Sequence, residues 1–82
     1  MIIVWHANGL RYQQVAALRT NDLETAFGAS QHTDELPWQK GPLVAAYAVG
    51  PQRSTSVGDV LEVVSIGQRY RVESRGFAPV VF

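Results

Sequence analysis

The sequence contains no cysteine, so it can form neither a disulfide nor a thiolate metal site. It also has no excess of either charge, because seven Lys and Arg residues balance seven Asp and Glu residues. An acidic mimic of DNA needs a large negative surface, and high-affinity duplex binders usually carry a basic excess. The apolar run at the amino terminus, Ile2 to Trp5, is short and no basic residue precedes it. We therefore expect neither a signal peptide nor a membrane span, and a cytoplasmic location.

The rest of the composition is that of a single globular domain covering residues 1–82. Of the 82 residues, 46% are apolar and 17% are charged, which distinguishes the chain from disordered sequences. A domain of this length buries only about 60% of its unfolded surface, so its stability is expected to be modest. Association into a homodimer would increase the stability of the folded chain.

The amino-terminal segment predicts a β-hairpin. Ile2 to His6 is apolar and contains β-branched and aromatic residues, which favour a strand. Asn8-Gly9 is the preferred two-residue hairpin turn, because both positions tolerate positive φ. Leu10 to Leu18 is then the returning strand. Its alternation is imperfect, and a helix over Tyr12 to Arg19 remains an alternative.

A short helix is predicted next. In Thr20-Asn21-Asp22 we expect Asn21 to cap the helix, with Glu24 three residues later as its capping-box partner. Residues spaced as on one helical face follow, namely Leu23, Ala26, Phe27 and Ser30. Polar residues follow by Gln31, so the helix is expected to be short and Gln31 to Pro42 to be a loop.

Further strands are predicted in the second half of the chain. Leu43 to Val49 is an apolar run typical of a buried strand, and Val60 to Ile66 is strongly β-branched and predicts a central strand. Arg69 to Arg75 alternates with period two, as in a strand with one polar face. Pro79 precedes a last short strand, Val80 to Phe82. These patterns predict an α+β fold in which a mostly antiparallel sheet of four to six strands has one short helix packed on one face.

The segment from Arg53 to Phe77 carries the most specific pattern. It reads Arg-Ser-x-Ser-Val-x-Asp-Val, then a strand and a turn, then Tyr-x-Val-x-Ser-x-Gly-Phe. This pattern resembles that of the small YodL-like domains of bacteria, phages and conjugative elements. The matching residues are Arg53, Ser54, Ser56, Val57, Asp59, Val60, Tyr70, Val72, Ser74, Gly76 and Phe77, with an upstream echo at Leu23, Glu24, Ala26, Phe27 and Trp38. The sequence departs from the pattern at Gly58, where a serine is usual, and at Glu73, where an aspartate is usual.

The resemblance implies a non-enzymatic accessory or regulatory protein of a phage, plasmid or bacterium that acts by binding a protein partner. It implies no known chemistry and no cofactor. No catalytic pattern is evident either, because neither His6 nor His32 accompanies a nucleophile elbow. His32, Asp34 and Glu35 lie together in the predicted loop, but their spacing matches no defined metal site. His6, beside the hairpin turn, is expected to be exposed.

The RSTSVGD segment, residues 53–59, has the composition of an ordered turn before the central strand. Its short polar side chains can bond nearby amides, and Gly58 can supply a positive φ. If Asp59 only caps this turn, Asp59→Ala should cost about 1 kcal/mol. Arg53 is the better candidate for binding, because its guanidinium offers several donors. If Arg53 instead anchors the turn through a buried pair, its removal should destabilise the fold. The candidate binding residues here are Arg53, Ser54 and Ser56, and the structural residues of the motif are Gly58, Asp59, Gly76 and Phe77.

An alternative function rests on the arginines of the predicted strand. Arg69, Arg71 and Arg75 occupy alternate positions, about 6–7 Å apart for each step of two residues, which is comparable to successive phosphates of a single strand. The alternative is therefore weak binding of single-stranded nucleic acid. Tyr70 is expected on the opposite face, so no aromatic stacking platform is predicted. Trp5 and Trp38 are both expected in the core.

Overall fold

The structure, a computed structural model, describes residues 1–32, 37–48, 50 and 52–81. Its strands are β1 (Ile2–Asn8), β2 (Arg11–Leu18), β3 (Val44–Tyr47), β4 (Val60–Val63), β5 (Gln68–Glu73) and β6 (Gly76–Val80). The helix α1 spans Leu23–Ala29, and two short 3₁₀ helices span Trp38–Lys40 and Val64–Ile66. These strands form one antiparallel sheet in the order β3-β2-β1-β4-β5-β6. The predicted antiparallel α+β architecture is thus confirmed, and no described helix is long and apolar enough to cross a membrane.

The amino-terminal hairpin is confirmed, with its turn one residue later than predicted. Asn8 pairs with Arg11, so the two turn residues are Gly9 and Leu10. Gly9 has a φ of 65° and Leu10 has no positive φ. This excludes a type I′ turn, which needs positive φ at both central positions. Because Arg11–Leu18 is a strand, the alternative of a helix over Tyr12 to Arg19 is wrong.

The helix cap also differs from the prediction by one residue. Asp22 is the N-cap, and its side chain accepts a hydrogen bond from the Thr25 amide at 2.9 Å. The shift places Thr25 where the capping box required Glu24, so the capping box is wrong. Asn21 instead accepts a hydrogen bond from the Met1 ammonium group. The predicted helical face is buried or packed against the core, and it consists of Leu23, Ala26, Phe27 and Ser30.

The core lies against one face of the sheet, as period-two alternation requires. In β1, Ile2, Val4 and His6 are buried, and the residues between them are only partly buried. The buried cluster contains Ile2, Val4, Val15, Ala16, Leu18, Ala26, Trp38, Leu61, Val63 and Val72. Trp38 is therefore in the core, as predicted. Trp5 is not, because it is one step out of phase with Val4 and points to the opposite face.

Strand β3 is not a buried strand. It lies at one edge of the sheet, and Ala46 and Tyr47 are exposed. Three of the seven residues in the apolar run that predicted burial are alanines, which do not need a covering layer. Val49, the predicted end of this strand, lies outside the described residues.

The carboxy-terminal strands are confirmed with changed limits. Val60–Val63 lies centrally, between β1 and β5, and the chain then turns through a 3₁₀ helix to Gly67, which has a φ of 66°. Strand β5 ends at Glu73, so Arg75 lies in a turn. Strand β6 begins at Gly76 rather than Val80, and Phe82 lies outside the described residues. Pro79 is accommodated within β6 because an edge strand has amides that no neighbour needs.

Candidate functional site

The carboxylate of Asp59 is the centre of the RSTSVGD segment and is only 1% exposed. Its Oδ1 accepts a hydrogen bond from the Ala7 amide at 2.8 Å, and its Oδ2 accepts one from the Ser56 amide at 2.8 Å. The Arg53 guanidinium donates to both oxygens, from Nη1 at 2.6 Å and from Nη2 at 2.8 Å. One side chain therefore joins the end of β1, its own turn and the start of β4.

The charges of Asp59 and Arg53 stabilise each other. Burial alone would raise the pKa of Asp59, but the hydrogen bonds from Arg53, Ala7 and Ser56 together outweigh burial and hold that pKa below its ordinary value. The hydrogen bond to Asp59 raises the pKa of Arg53. The Arg53 side chain is 48% exposed, so water screens part of this ion pair.

The same segment is hydrogen-bonded to the end of α1 and to the 3₁₀ helix Trp38–Lys40. The Thr55 amide donates to the Ser30 carbonyl at 2.9 Å, at the end of α1, and Gln31 Nε2 donates to the Thr55 carbonyl at 2.8 Å. Trp38 Nε1 donates to the Arg53 carbonyl at 2.9 Å. These contacts join parts of the chain that are far apart in sequence, so the segment is a structural junction.

Ser54, Ser56 and Gly58 belong to the same turn, whereas Gly76 and Phe77 begin β6. Ser54 Oγ accepts a hydrogen bond from the His32 amide at 2.8 Å, and Ser56 Oγ donates to the Ser54 carbonyl at 3.2 Å. Gly58 has a φ of 95°, the positive value expected from its position, and its amide donates to the Val72 carbonyl at 2.9 Å. Phe77 packs against the core at the end of the motif, and Gly76 before it has a φ of 98°.

His6 is buried rather than exposed, with 4% of its surface accessible. Its Nε2 lies 3.0 Å from Thr55 Oγ1 and 3.9 Å from Asp59 Oδ2, and its ring centroid lies 6.1 Å from that of Trp38. Its Nδ1 is buried and has no hydrogen-bond partner among the described residues. Burial lowers the pKa of His6, the Asp59 carboxylate opposes this shift, and Arg53 adds to it. The expectation of exposure was wrong because β1 continues to Asn8, which keeps His6 in step with Ile2 and Val4.

The arrangement of His6, Thr55 and Asp59 is not that of a catalytic triad. In a triad the carboxylate bonds one ring nitrogen and the nucleophile bonds the other. Here Thr55 and Asp59 both approach Nε2. Thr55 is also only 2% exposed, so a substrate has no access to its hydroxyl. These three side chains therefore form structural contacts.

The described residues contain no group of three His, Asp or Glu side chains that could hold a metal ion. Asp34 and Glu35, which the sequence places beside His32, lie outside the described residues.

A second group of candidate residues lies on the face of the sheet opposite the core. Arg69 Nε donates to Glu62 Oε1 at 3.2 Å, and its guanidinium lies 5.0 Å from the Trp5 ring centroid. Arg71 donates to Glu73 Oε1 at 2.8 Å. Arg75 is not part of this row, because it lies in the turn after β5.

The sequence reasoning missed the aromatic residues of this face. Strand register aligns Trp5 with Val60 and Val60 with Arg71, and it aligns Tyr12 with Ala7, two residues after Trp5. We call this surface the Trp5 face, and its members are Trp5, Tyr12, Glu62, Arg69, Arg71 and Glu73. Alternation within β1 alone would have placed Trp5 on the face opposite the core. Placing the arginines on the same face requires knowledge of which strands are neighbours.

Comparison with protein-family models, with curated proteins and with solved structures finds no match for this chain. The YodL-like resemblance therefore stays a prediction that rests on the motif residues. The candidate binding residues fall into two groups, the RSTSVGD turn and the Trp5 face, with Arg75 in a separate turn.

Replacing Asp59 by alanine should destabilise the protein by more than a simple turn cap would. We expect Asp59→Ala to lower the free energy of unfolding by about 2–4 kcal/mol, because the Ala7 and Ser56 amides lose their acceptor. Arg53→Ala should also destabilise, since it leaves the buried carboxylate with backbone donors only. Urea denaturation followed by circular dichroism measures both effects.

The matched control is Glu73→Ala, which breaks the exposed arginine–carboxylate pair with Arg71. Its denaturation curve should stay close to that of the wild type, because exposed pairs contribute little. If Asp59→Ala unfolds at the same urea concentration as Glu73→Ala, the central role of Asp59 is wrong.

The buried His6 should make stability depend on pH above the range in which carboxylates titrate. Its pKa in the folded protein lies below its ordinary value of 6.5, so below that pH the unfolded chain binds a proton that the folded chain does not. The free energy of unfolding should therefore be fully retained above pH 6.5 and fall as the pH decreases below it. The contribution of Asp59, whose pKa is lowered from 3.8, persists to more acidic pH and is lost only as the pH falls through its folded pKa.

Urea denaturation at several pH values between neutral and mildly acidic tests this dependence. His6→Gln should flatten the slope in this interval, even if it lowers stability overall. His32→Gln, which removes an exposed imidazole, is the control and should retain the slope. An unchanged slope in His6→Gln would contradict the assignment.

Proposed function

We propose that this protein is a non-enzymatic accessory or regulatory protein of a phage, plasmid or bacterium, and that it acts in the cytoplasm by binding a protein partner through the Trp5 face. The observation that carries the proposal is the convergence of Trp5, Tyr12, Arg69 and Arg71 on one face of the sheet. Trp, Tyr and Arg are the residue types enriched at binding hot spots. In this proposal α1 is packed on the other face. The YodL-like motif adds support from the sequence.

The charge balance of the Trp5 face favours a protein partner. Arg69 is paired with Glu62 and Arg71 with Glu73, so the surface presents both signs close together. Such a mixed surface matches the polar rim of a protein interface better than a phosphate backbone. Trp5 Nε1 also donates to Glu62 Oε1 at 3.0 Å, which fixes the ring before any partner arrives and lowers the entropic cost of binding.

The proposal assigns different roles to the two groups of candidate residues. The Trp5 face provides the contact surface. Arg53, Ser54 and Ser56 support it indirectly, because the turn they form fixes the start of β4 and the end of β1. Variants in the turn should therefore reduce binding only in proportion to their loss of stability.

Affinity capture from a bacterial lysate tests the protein-binding proposal. A Tyr12→Ala, Arg71→Ala double variant should lose the proteins that the wild type retains, because two contact side chains are removed without touching the core. Arg75→Ala is the matched control, since it removes an exposed arginine from a turn, and it should retain the same proteins. Equal retention by the double variant, or no retention by the wild type together with a measurable enzymatic turnover, would contradict the proposal.

The second candidate function is weak binding of single-stranded nucleic acid on the same face. The specific observation in its favour is that Trp5 and Tyr12 lie beside Arg69 and Arg71, which combines stacking rings with cations. The paired glutamates oppose it, because each competes with a phosphate for its arginine.

A labelled single-stranded oligonucleotide titrated at two salt concentrations tests this candidate. Binding should weaken steeply with salt, since phosphate contacts release counterions. Glu62→Gln and Glu73→Gln should strengthen binding by freeing the arginines, whereas Glu24→Gln on the helix should not. An absence of binding at low salt for the wild type and for the glutamine variants would eliminate the candidate.

A further inference from the structure

Among the described residues, no strand pairs with the outer side of β3, which leaves this side of the sheet open to another strand. It is the terminal strand of the sheet order, with β2 on its inner side. The Ala48 amide donates to the Val15 carbonyl of β2 at 2.9 Å. Because successive amides of a strand point in opposite directions, the Tyr47 amide points away from β2. None of the described residues accepts a hydrogen bond from this amide, so the outer side of β3 offers a backbone donor to a partner.

The sequence around β3 lacks the charges that usually protect an edge. No charged residue occurs from Gly41 to Gln52, whereas edge strands are commonly protected by lysine, proline or a bulge. The opposite edge, β6, carries Pro79 within the strand. The pairing of β3 with β2 has a register shift that leaves Ala45 without a partner in β2, and Ala46 and Tyr47 follow in regular register.

The side chains at this edge also leave room for a partner. Tyr47 is 57% exposed, and Ala46 is exposed beside it. A shallow depression of about 380 Å³ adjoins the edge and is lined by residues 14–17 of β2 and by Ala46, Tyr47 and Ala48. Four of these seven lining residues are alanines, so an aromatic ring from outside has space to pack there.

We propose that β3 pairs antiparallel with β3 of a second copy of this chain, which joins the two sheets across a two-fold axis. In a two-fold pair each strand faces its own sequence, so a like charge on the strand would be repelled. The uncharged stretch around β3 avoids this repulsion, and a formal net charge of zero removes long-range repulsion between the copies. The Arg19 guanidinium donates to the Pro42 and Val44 carbonyls at the start of the strand, whereas the two exposed residues, Ala46 and Tyr47, are at its end and carry no charge. The tyrosine of each copy would pack on the alanines of the other.

This inference goes beyond the proposed function, because β3 lies at the edge of the sheet and the named residues of the Trp5 face lie on β1, β2, β4 and β5. The two can be tested separately with Ala46→Lys. This variant should become monomeric and still capture the proteins that the wild type retains. Loss of capture alone would count against the Trp5 face, and an unchanged dimer would count against the edge pairing.

Light scattering coupled to gel filtration, at protein concentrations from micromolar to millimolar, measures the oligomeric state. The wild type should change from monomer to dimer as concentration rises, and Ala46→Lys should remain monomeric because two lysines would meet near the axis. Val81→Lys is the matched control, since it adds the same charge at an exposed site after β6, and it should dimerise like the wild type.

Hydrogen exchange of the Tyr47 amide provides an independent measurement on the unmodified chain. Its exchange should slow as protein concentration rises, because the amide becomes bonded to the second copy. Exchange of the Val64 amide, at the start of the 3₁₀ helix after β4, should show no such dependence. A wild type that stays monomeric throughout, or a dimer that survives Ala46→Lys, would overturn the proposal.

Discussion

The rest of the structure depends on the hydrogen-bond donors that stabilise the buried carboxylate of Asp59. Asp59 is removed from water, and an ionised carboxylate at such a site is tolerated only when donors surround it. The Arg53 guanidinium and the amides of Ala7 and Ser56 provide those donors. These hydrogen bonds fix the position of the turn against the end of β1. The turn is also hydrogen-bonded to the end of α1 and to Trp38.

Alternation along β1 divides the molecule into two chemically distinct faces. Ile2, Val4 and His6 face the core, whereas Trp5, on the opposite face, contacts Arg69 of β5 and donates a hydrogen bond to Glu62. Trp5 and His6 are adjacent in sequence but lie on opposite faces. Trp5 is therefore available for contact, whereas His6 contributes to stability. The bulge between Val4 and Trp5 in the pairing with β2 accommodates the extra residue Val15, which is itself buried.

The sequence predicted the features that depend on neighbouring residues. The hairpin, the helical face, the central β4 and the positive φ of Gly58 all follow from local preference and period. The predictions for Trp5 and His6 failed because β1 continues to Asn8 and because adjacent residues of a strand point to opposite faces of the sheet. The burial of β3 could not be judged from its apolar composition, because small residues suit an edge strand as well as a core strand.

Longer-range features were beyond such reasoning. The bidentate pair of Arg53 and Asp59 was anticipated only as one of several options, because the sequence does not show that the turn is closed by Ala7 of a distant strand. The Trp5 face required the order of four strands. The pairing of His6 with Thr55 required both the strand phase and the position of the turn.

The separation of the two tryptophans has a practical consequence for spectroscopy. Trp38 is 3% exposed and lies near the His6 ring, whereas Trp5 is only partly buried on the other side of the sheet. Indole emission shifts to shorter wavelength in an apolar environment, and the two indoles of the chain have distinct surroundings. With one tryptophan replaced by phenylalanine at a time, Trp38 would report on the integrity of the interior and Trp5 on events at the sheet surface.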